Sequence, residues 1–419
     1  MSQTSIDYVS LFSGGMGLDI GLEREGFRAA VCCENDPACL ETIRHNRPRT
    51  PTAGRSITEV SSATLESAAG RCLKNVPLLA GGPPCQAFSV YGKRLGTTDE
   101  RGQLLFEFIR IVDELRPQVF LLENVRGLHS MPIVPTSARA RDKSISEEKT
   151  AHGSLLREII RRCESIGYRV DCFLVNAVNY GAPQIRERLF CVGNRYNLRA
   201  GFRAPEYSNR PDDGLPPFAT LGRAIGEGFV DPDPDCMDFS PRKLKYLSMV
   251  PPGGNWRSLP VEIQQESMGK AWYLKGGRSA YWRKLSFEFP APTVVTMPNH
   301  AGTSMCHPSE LRALTVGECA AIQEFPREWR FMGKIPEKYC QVGNAVPVRL
   351  ASVAGGSIRQ MLEHIASLRE SAVPATLDPS ETFHLRPHVR TRTFWKNGAA
   401  FAGDHDYYDE PENFQGRLF

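Results

Sequence analysis

The chain has 419 residues, 41% hydrophobic and 23% charged, with a net charge of +4, a mildly basic balance that permits a nucleic-acid partner without indicating one. No run of roughly 18 apolar residues provides a membrane span, and the polar start Met1 to Asp7 leads into a strand without a secretory leader. Twelve cysteines without repeated CxxC or Cys/His spacing argue against a metal site or a disulfide framework and suit a reducing cytoplasm.

In chain order, Tyr8–Phe12 reads as a buried strand, and Asp19–Glu25 as the helix that follows it. Between them lies Phe12-Ser13-Gly14-Gly15-Met16-Gly17, a glycine-rich turn of the kind that lets backbone amides approach a ligand. A second strand, Arg28–Cys33, ends at Glu34-Asn35-Asp36. Glu34 stands where a carboxylate accepts hydrogen bonds from ribose hydroxyls. Asp36 before Pro37 reads as the N-cap of a helix over Pro37–His45. Together these motifs suggest a ligand with an adenosine end.

The apolar run Val76 to Ala80 reads as a third strand and opens onto Gly81-Gly82-Pro83-Pro84-Cys85-Gln86-Ala87-Phe88-Ser89. A cysteine directly after two prolines, at the carboxyl end of a strand, has a fixed backbone, which suits a nucleophilic thiolate better than a structural thiol. Val90–Glu100, with Lys93, Arg94, Gly92 and Gly96, reads as a mobile basic loop. A helix over Gln103–Leu115 follows, stopped by Pro117, and then a strand, Val119–Leu122, that ends at Glu123. An apolar wall there raises the proton affinity of the carboxylate.

Residues 131–153 are polar and read as an exposed insertion. Ser154–Ile166 reads as a helix, and Cys172–Asn176 and Leu189–Val192 as strands. Before the last strand, Gln184, Arg186 and Arg188 alternate onto one side of an extended chain, a pattern that suits an anion or a base edge. From about residue 200 the texture turns irregular and rich in Pro, Gly and aromatics, and Ala345–Leu368 returns to helix. Across 239–300 nine Lys/Arg face three Glu, interleaved with Tyr246, Trp256, Trp272, Tyr273, Tyr281 and Trp282. This composition suits phosphate contact, or a small aromatic core under a basic face. Strands alternating with helices predict an α/β fold with a mostly parallel sheet.

In these motifs the chain resembles the DNA cytosine-5 methyltransferase family of prokaryotic type, over residues 7–195 and 311–350. Phe12-Ser-Gly14 resembles its S-adenosylmethionine loop, Glu34-Asn-Asp36 its ribose segment and Pro84-Cys85-Gln86 its nucleophile motif. Arg101-Gly-Gln-Leu104 is similar to its cofactor-pocket segment. Glu123-Asn-Val125 and Gln184-Ile-Arg186-Glu-Arg188 resemble its cytosine pocket, and Gln341-Val-Gly343-Asn344 its late return motif. Two positions depart from the pattern. Met16 stands where glycine is common, and Ser56 of Gly54-Arg55-Ser56-Ile57 stands where an Asp meets adenine.

The resemblance implies a Rossmann-like S-adenosylmethionine-dependent methyltransferase domain with a smaller, irregular target-recognition domain. With the boundaries read from the change in texture, residues 1–200 form the catalytic domain, 201–325 target recognition, 326–369 the return, and 370–419 a tail without an assigned role. It implies catalysis by Cys85, Glu123, Arg186 and Arg188, through a covalent adduct to cytosine C6 and base flipping. Cofactor contacts fall to Phe12, Gly14, Gly15, Gly17, Glu34, Asn35, Ser56, Ile57, Pro84, Leu104 and Asn344, with Asn344 also bracing the two domains. Double-stranded DNA is the implied partner, in a restriction-modification or related defence setting with cognate restriction or defence proteins. The implied protein is a monomer in the bacterial cytoplasm, on the nucleoid and without a membrane. Alternatives are an RNA cytosine-5 methyltransferase and a catalytically silent, sequence-specific DNA-binding protein.

Overall fold

The computed structural model describes residues 5–84, 100–134, 146–273, 279–368, 376–385, 391–396 and 399–404. The first half alternates β1 (Ile6–Leu11), α1 (Gly17–Arg24), β2 (Phe27–Cys33), α2 (Pro37–Asn46), β3 (Thr52–Ala53), α3 (Ser62–Ala69), β4 (Leu78–Gly81), α4 (Glu100–Leu115) and β5 (Val119–Val125). It continues with α5 (Ser154–Ser165), β6 (Arg169–Asn176) and β7 (Glu187–Asn194). With a late strand, β8 (Thr382–Leu385), these build one eight-stranded sheet in the order β3-β2-β1-β4-β5-β7-β6-β8.

The sheet is parallel except for β7, which runs antiparallel to both β5 and β6. The reason is the connection. Residues 177–186 between β6 and β7 contain a single 3-10 turn and no crossover helix, and a parallel pair needs one.

Both faces of the sheet are buried, and each strand divides its side chains between two cores. Tyr8, Leu78 and Leu121 point to the face covered by α1 and the carboxyl-terminal helices. Val9, Leu79, Phe120 and Leu122 point to the face covered by α4 and α5, through Phe108, Val112, Ile159 and Ile160. This two-sided burial explains why the strands read as continuous apolar runs rather than alternating ones.

A smaller, separate core of Phe239, Tyr246, Leu247, Val250, Trp256, Leu259, Trp282 and Ala313 lies in the stretch expected to form a second domain, with α6 (Pro241–Ser248) and α7 (Val261–Met268) around it. Its core residues lie between 239 and 313, a shorter span than the 201–325 read from texture. Leu221, Ile225, Ala291, Val294 and Met305 pack instead with the catalytic core. Then come α8 (Val316–Ile322), α9 (Ile335–Asn344) and α10 (Val348–Ser367). The expected single helix over Ala345–Leu368 is therefore α10 alone, and its amino end is set by Pro347, whose fixed φ suits a helix start.

The tail is built into the sheet. β8 pairs parallel with β6, and Phe383 stacks on Phe173 with ring centroids 5.1 Å apart. Glu381 accepts from Arg199 at 2.7 Å, and the Asp171 carboxylate accepts from the Glu381 amide at 3.0 Å. Beyond it β9 (Thr391–Lys396) and β10 (Ala399–Asp404) form an antiparallel hairpin. In the segment 131–153, Ser146–Lys149 and His152 are exposed, whereas the end residues Met131 and Gly153 are buried. Its middle, 135–145, lies outside the described residues.

Candidate active site

Strand register sets out the site. Leu11 pairs with Cys33 on one side and Gly81 on the other, and Gly81 pairs with Leu122. The next residues along each strand, Glu34, Phe12, Gly82 and Glu123, therefore stand level at one sheet edge, with strands about 4.8 Å apart. Strand order reverses between β1 and β4, which opens the crevice where such sheets hold ligands.

The glycine turn leaves β1 through a left-handed kink, with φ of 57° at Phe12, 52° at Gly14 and 66° at Met16. Met16 is the N-cap of α1 and offers no side-chain cap, so amides at the helix start remain available to a ligand. A side chain on Gly14 would meet only the Phe12 carbonyl, at 3.9 Å, so this glycine faces open space. Gly15 and Gly17 serve packing. Added Cβ atoms would lie 3.1 Å from the Phe331 ring and 2.4 Å from the Val346 carbonyl. Glu34 closes the turn from β2. Its carboxylate accepts from the amides of Gly14 at 2.8 Å, Asn35 at 2.8 Å and Asp36 at 2.9 Å. Asp36 caps α2 as expected, accepting from the Cys39 amide.

Around this turn, Ser56 stands just before a 3-10 turn that begins at buried Ile57 and does not cap it; its hydroxyl meets that of Thr58 at 2.9 Å. Phe12 and Leu104 both lie half-buried against the α4-side core. An uncapped helix start, an open glycine and a carboxylate after β2 form a donor and acceptor set that fits an adenosine-bearing, zwitterionic ligand.

The second half of the site is an ion pair. Glu123 and Arg188 are each 8% exposed, and Arg188 Nε lies 2.8 Å from Glu123 Oε1. Register explains the meeting, because Glu123 pairs with Phe190 and Val125 with Arg188, which makes the two side chains diagonal neighbours on one face. The other oxygen, Oε2, lies 2.9 Å from where a Cβ on Gly82 would be, so only glycine fits beside it. Burial raises the proton affinity of Glu123 above the usual carboxylate range, against the opposing pull of Arg188 and Arg186.

Cys85 lies outside the described residues, as does the loop 90–99. Pro84, the last described residue before them, is exposed. Asn124, which sequence reasoning did not single out, anchors this segment. Its side-chain amide donates to the Pro83 carbonyl at 3.1 Å, fixing the start of the cysteine loop against β5.

Two expected site residues have different surroundings from those read in the sequence. Arg186 is 1% exposed and donates to the carbonyls of Val294 at 2.8 Å, Gly343 at 2.7 Å and Ala345 at 2.8 Å. It clamps the start of β7 to Val294 and to the return segment, and these carbonyls take up its guanidinium. Asn344 does not brace the domains with its side chain. It is exposed at the end of α9, and its amide donates to Cys340 Sγ at 3.4 Å. The brace is made by Arg186, by Gln184 with Gln323 at 2.8 Å, and by Gln323 with the carbonyls of Val342 and Ala345.

In the second domain most of the interleaved aromatics are core. Tyr246, Trp256 and Trp282 are buried, whereas Tyr273 is 75% exposed. Several basic residues are internally engaged. Arg242 donates to the carbonyls of Glu266 and Ser267, Arg283 to that of Ser304, and Lys243 to that of Asn299. Lys275 and Arg278 lie outside the described residues. Among the described residues no cluster could hold a metal ion, and no helix is long and apolar enough to cross a membrane.

The sequence profile described as C-5 cytosine-specific DNA methylase matches residues 6–360. The chain is 37% identical over 364 residues to the type II methyltransferase M.Eco47II of Escherichia coli, covering 85% of this chain and 79% of that protein. It is 34% identical over 349 residues to M.Sau96I of Staphylococcus aureus, covering 83% and 74%. Among solved structures, Spodoptera frugiperda DNMT2 shares the fold with a TM-score of 0.55 at 18% identity, over 85% of this chain and all of that one. The chain belongs to the C-5 cytosine-specific DNA methylase family, whose members transfer a methyl group to carbon 5 of cytosine in DNA.

Proposed function

We propose that the chain methylates cytosine within a short specific sequence of duplex DNA, through a Cys85 adduct formed on a base flipped out of the helix. The observation that carries this reading is the buried Glu123–Arg188 pair, level with Gly82 at the edge where the cysteine loop begins. Cytosine C5 is a weak nucleophile. Addition of the Cys85 thiolate to C6 makes C5 enamine-like, and its later expulsion by β-elimination, with loss of the C5 proton, restores the ring. Glu123, in its dry setting, holds a proton for N3 and accepts from the exocyclic amine, stabilising the adduct as charge develops. Arg188 orients Glu123 and contacts the base O2. The turn Phe12–Gly17, Glu34 and the neighbourhood of Ser56, Leu104 and Asn344 would hold S-adenosylmethionine, whose sulfonium would present the methyl group as an electrophile.

The base is out of reach in a stacked duplex, so extrusion costs roughly a few kcal/mol. The second domain, with exposed Tyr273 and its basic residues, carries the target reading. The relatives are type II methyltransferases by name, which supports a host-DNA marking role in a restriction-modification system.

The test is methyl transfer from labelled S-adenosylmethionine to bacteriophage DNA, with products mapped by bisulfite sequencing. Wild type is expected to methylate one short motif, Cys85→Ala none, and Glu123→Gln roughly 10²–10⁴-fold more slowly. Transfer to RNA alone would move the assignment to an RNA substrate. Cofactor binding without transfer to either would leave a silent DNA-binding protein.

A further inference from the structure

Beneath the glycine turn lies a carboxyl group that the chemistry above does not use. Asp19, in the first turn of α1, is 1% exposed. One oxygen accepts from the Tyr8 hydroxyl at 2.7 Å, and the other, Oδ2, has no hydrogen-bond partner among the described residues. The titratable and charged groups around it are few. β1 contributes Tyr8, β2 contributes Cys32, and α1 contributes Glu23. Arg47, just past the end of α2 and the cation beside Glu23, is bound bidentately by that residue. Ser10 also favours the ionised form of Asp19, and its hydroxyl bonds that of Ser13, within the turn itself, at 2.8 Å. A negative charge is thus sealed under the cradle with no cation of its own, an arrangement that costs stability unless something else uses it.

We propose that Asp19 is a charge selector for the cradle: its carboxylate, one hydroxyl away from the glycine turn, tilts binding toward a ligand with a positive sulfonium and away from the same ligand with a neutral thioether. This rests on the reading that the turn holds S-adenosylmethionine. Charges interact strongly through a dry interior, so the selection needs no direct contact. Methyl transfer removes the positive charge from sulfur, and the same carboxylate then holds the product less firmly than it held the substrate. Burial pushes the Asp19 carboxyl up to about 6, so the charge is present at neutral pH and fades below that.

The test is calorimetric titration of the full chain with S-adenosylmethionine and with S-adenosylhomocysteine, at pH 7.5 and 5.5. In Asp19→Asn the ratio of the two dissociation constants at pH 7.5 is expected to shift about five- to tenfold against S-adenosylmethionine, a size that follows from a screened charge pair. The wild-type ratio at pH 5.5 is expected to move toward the variant's. Tyr8→Phe, which removes the donor to the carboxylate and keeps the ring, is expected to move the pH of this change upward. Equal weakening of both ligands, or an unchanged ratio, would show Asp19 to be scaffold only. If neither ligand binds folded wild type, the cofactor reading itself falls.

Discussion

Glu123 and Asp19 are both buried carboxyls, and their neighbours separate their roles. Glu123 faces two guanidinia, so its charge is matched and its proton affinity rises only against that pull. Asp19 has none, and burial takes it from 3.8 to about 6. At about 1.4 kcal/mol per pH unit, that is a cost of roughly 3 kcal/mol at neutral pH. Between those two values the folded chain holds a proton that the unfolded chain has released, so stability falls as pH rises through that window. Asp19→Asn is therefore expected to be more stable than wild type by up to roughly 3 kcal/mol at pH 8 and by little near pH 4. Urea unfolding of both proteins across that range checks this, and a difference that does not grow with pH would refute it. Arg186 gives a contrasting prediction. Arg186→Met strands the carbonyls of Val294 and Gly343, since Gln323 still donates to that of Ala345, and is expected to cost roughly 3–5 kcal/mol in a denaturant series. Arg188→Ala is expected to cost activity out of proportion to stability. The sequence placed both arginines on one extended stretch, but alternation alone could not tell which meets Glu123. The return segment decides that, because the carbonyls of Gly343 and Ala345 take up Arg186 and leave Arg188 to Glu123.

At the scale of elements, α1 and α10 pack so closely that their glycines are structural. A Cβ on Gly21 would lie 2.3 Å from Ala351 Cβ and 2.6 Å from the Val348 carbonyl. Gly21→Ala is expected to destabilise by roughly 1–3 kcal/mol through overpacking, despite alanine's better helix propensity. A thermal melt reads the sign directly, since propensity alone predicts stabilisation. The parallel strands and their helices were legible because both faces of the sheet are buried and each strand is a plain apolar run. Much less legible were features that depend on partners distant in sequence. Thr52–Ala53 is only two residues long, and β8 is recruited by Phe173 and Asp171 from far along the chain. The second domain blurred for the same reason, since Leu221 and Val294 belong by packing to the catalytic core.

Across the whole molecule, the sheet holds the chemistry at one edge and the tail at one end. β8 covers the side of β6 that faces away from β7, and Arg169, buried beside Asp171, approaches Asp378 and Glu381 of the tail. A chain ended after Leu368 is expected to lose several kcal/mol of stability, more than Phe383→Ala, whose loss is roughly 3 kcal/mol. Light scattering is expected to show self-association of the shortened chain, through the bared strand. Retention of the full melting temperature by both proteins would mean that β8 merely rests on the sheet. The position of β8 also has a consequence for biogenesis. On the ribosome β6 emerges long before β8 does, so a nascent chain that already carries its cysteine loop and its Glu123–Arg188 pair still has an open strand edge in a crowded cell. Assembly of the catalytic edge and protection of the molecule from its neighbours are thus separated in time, and the interval between them is when chaperones would be needed.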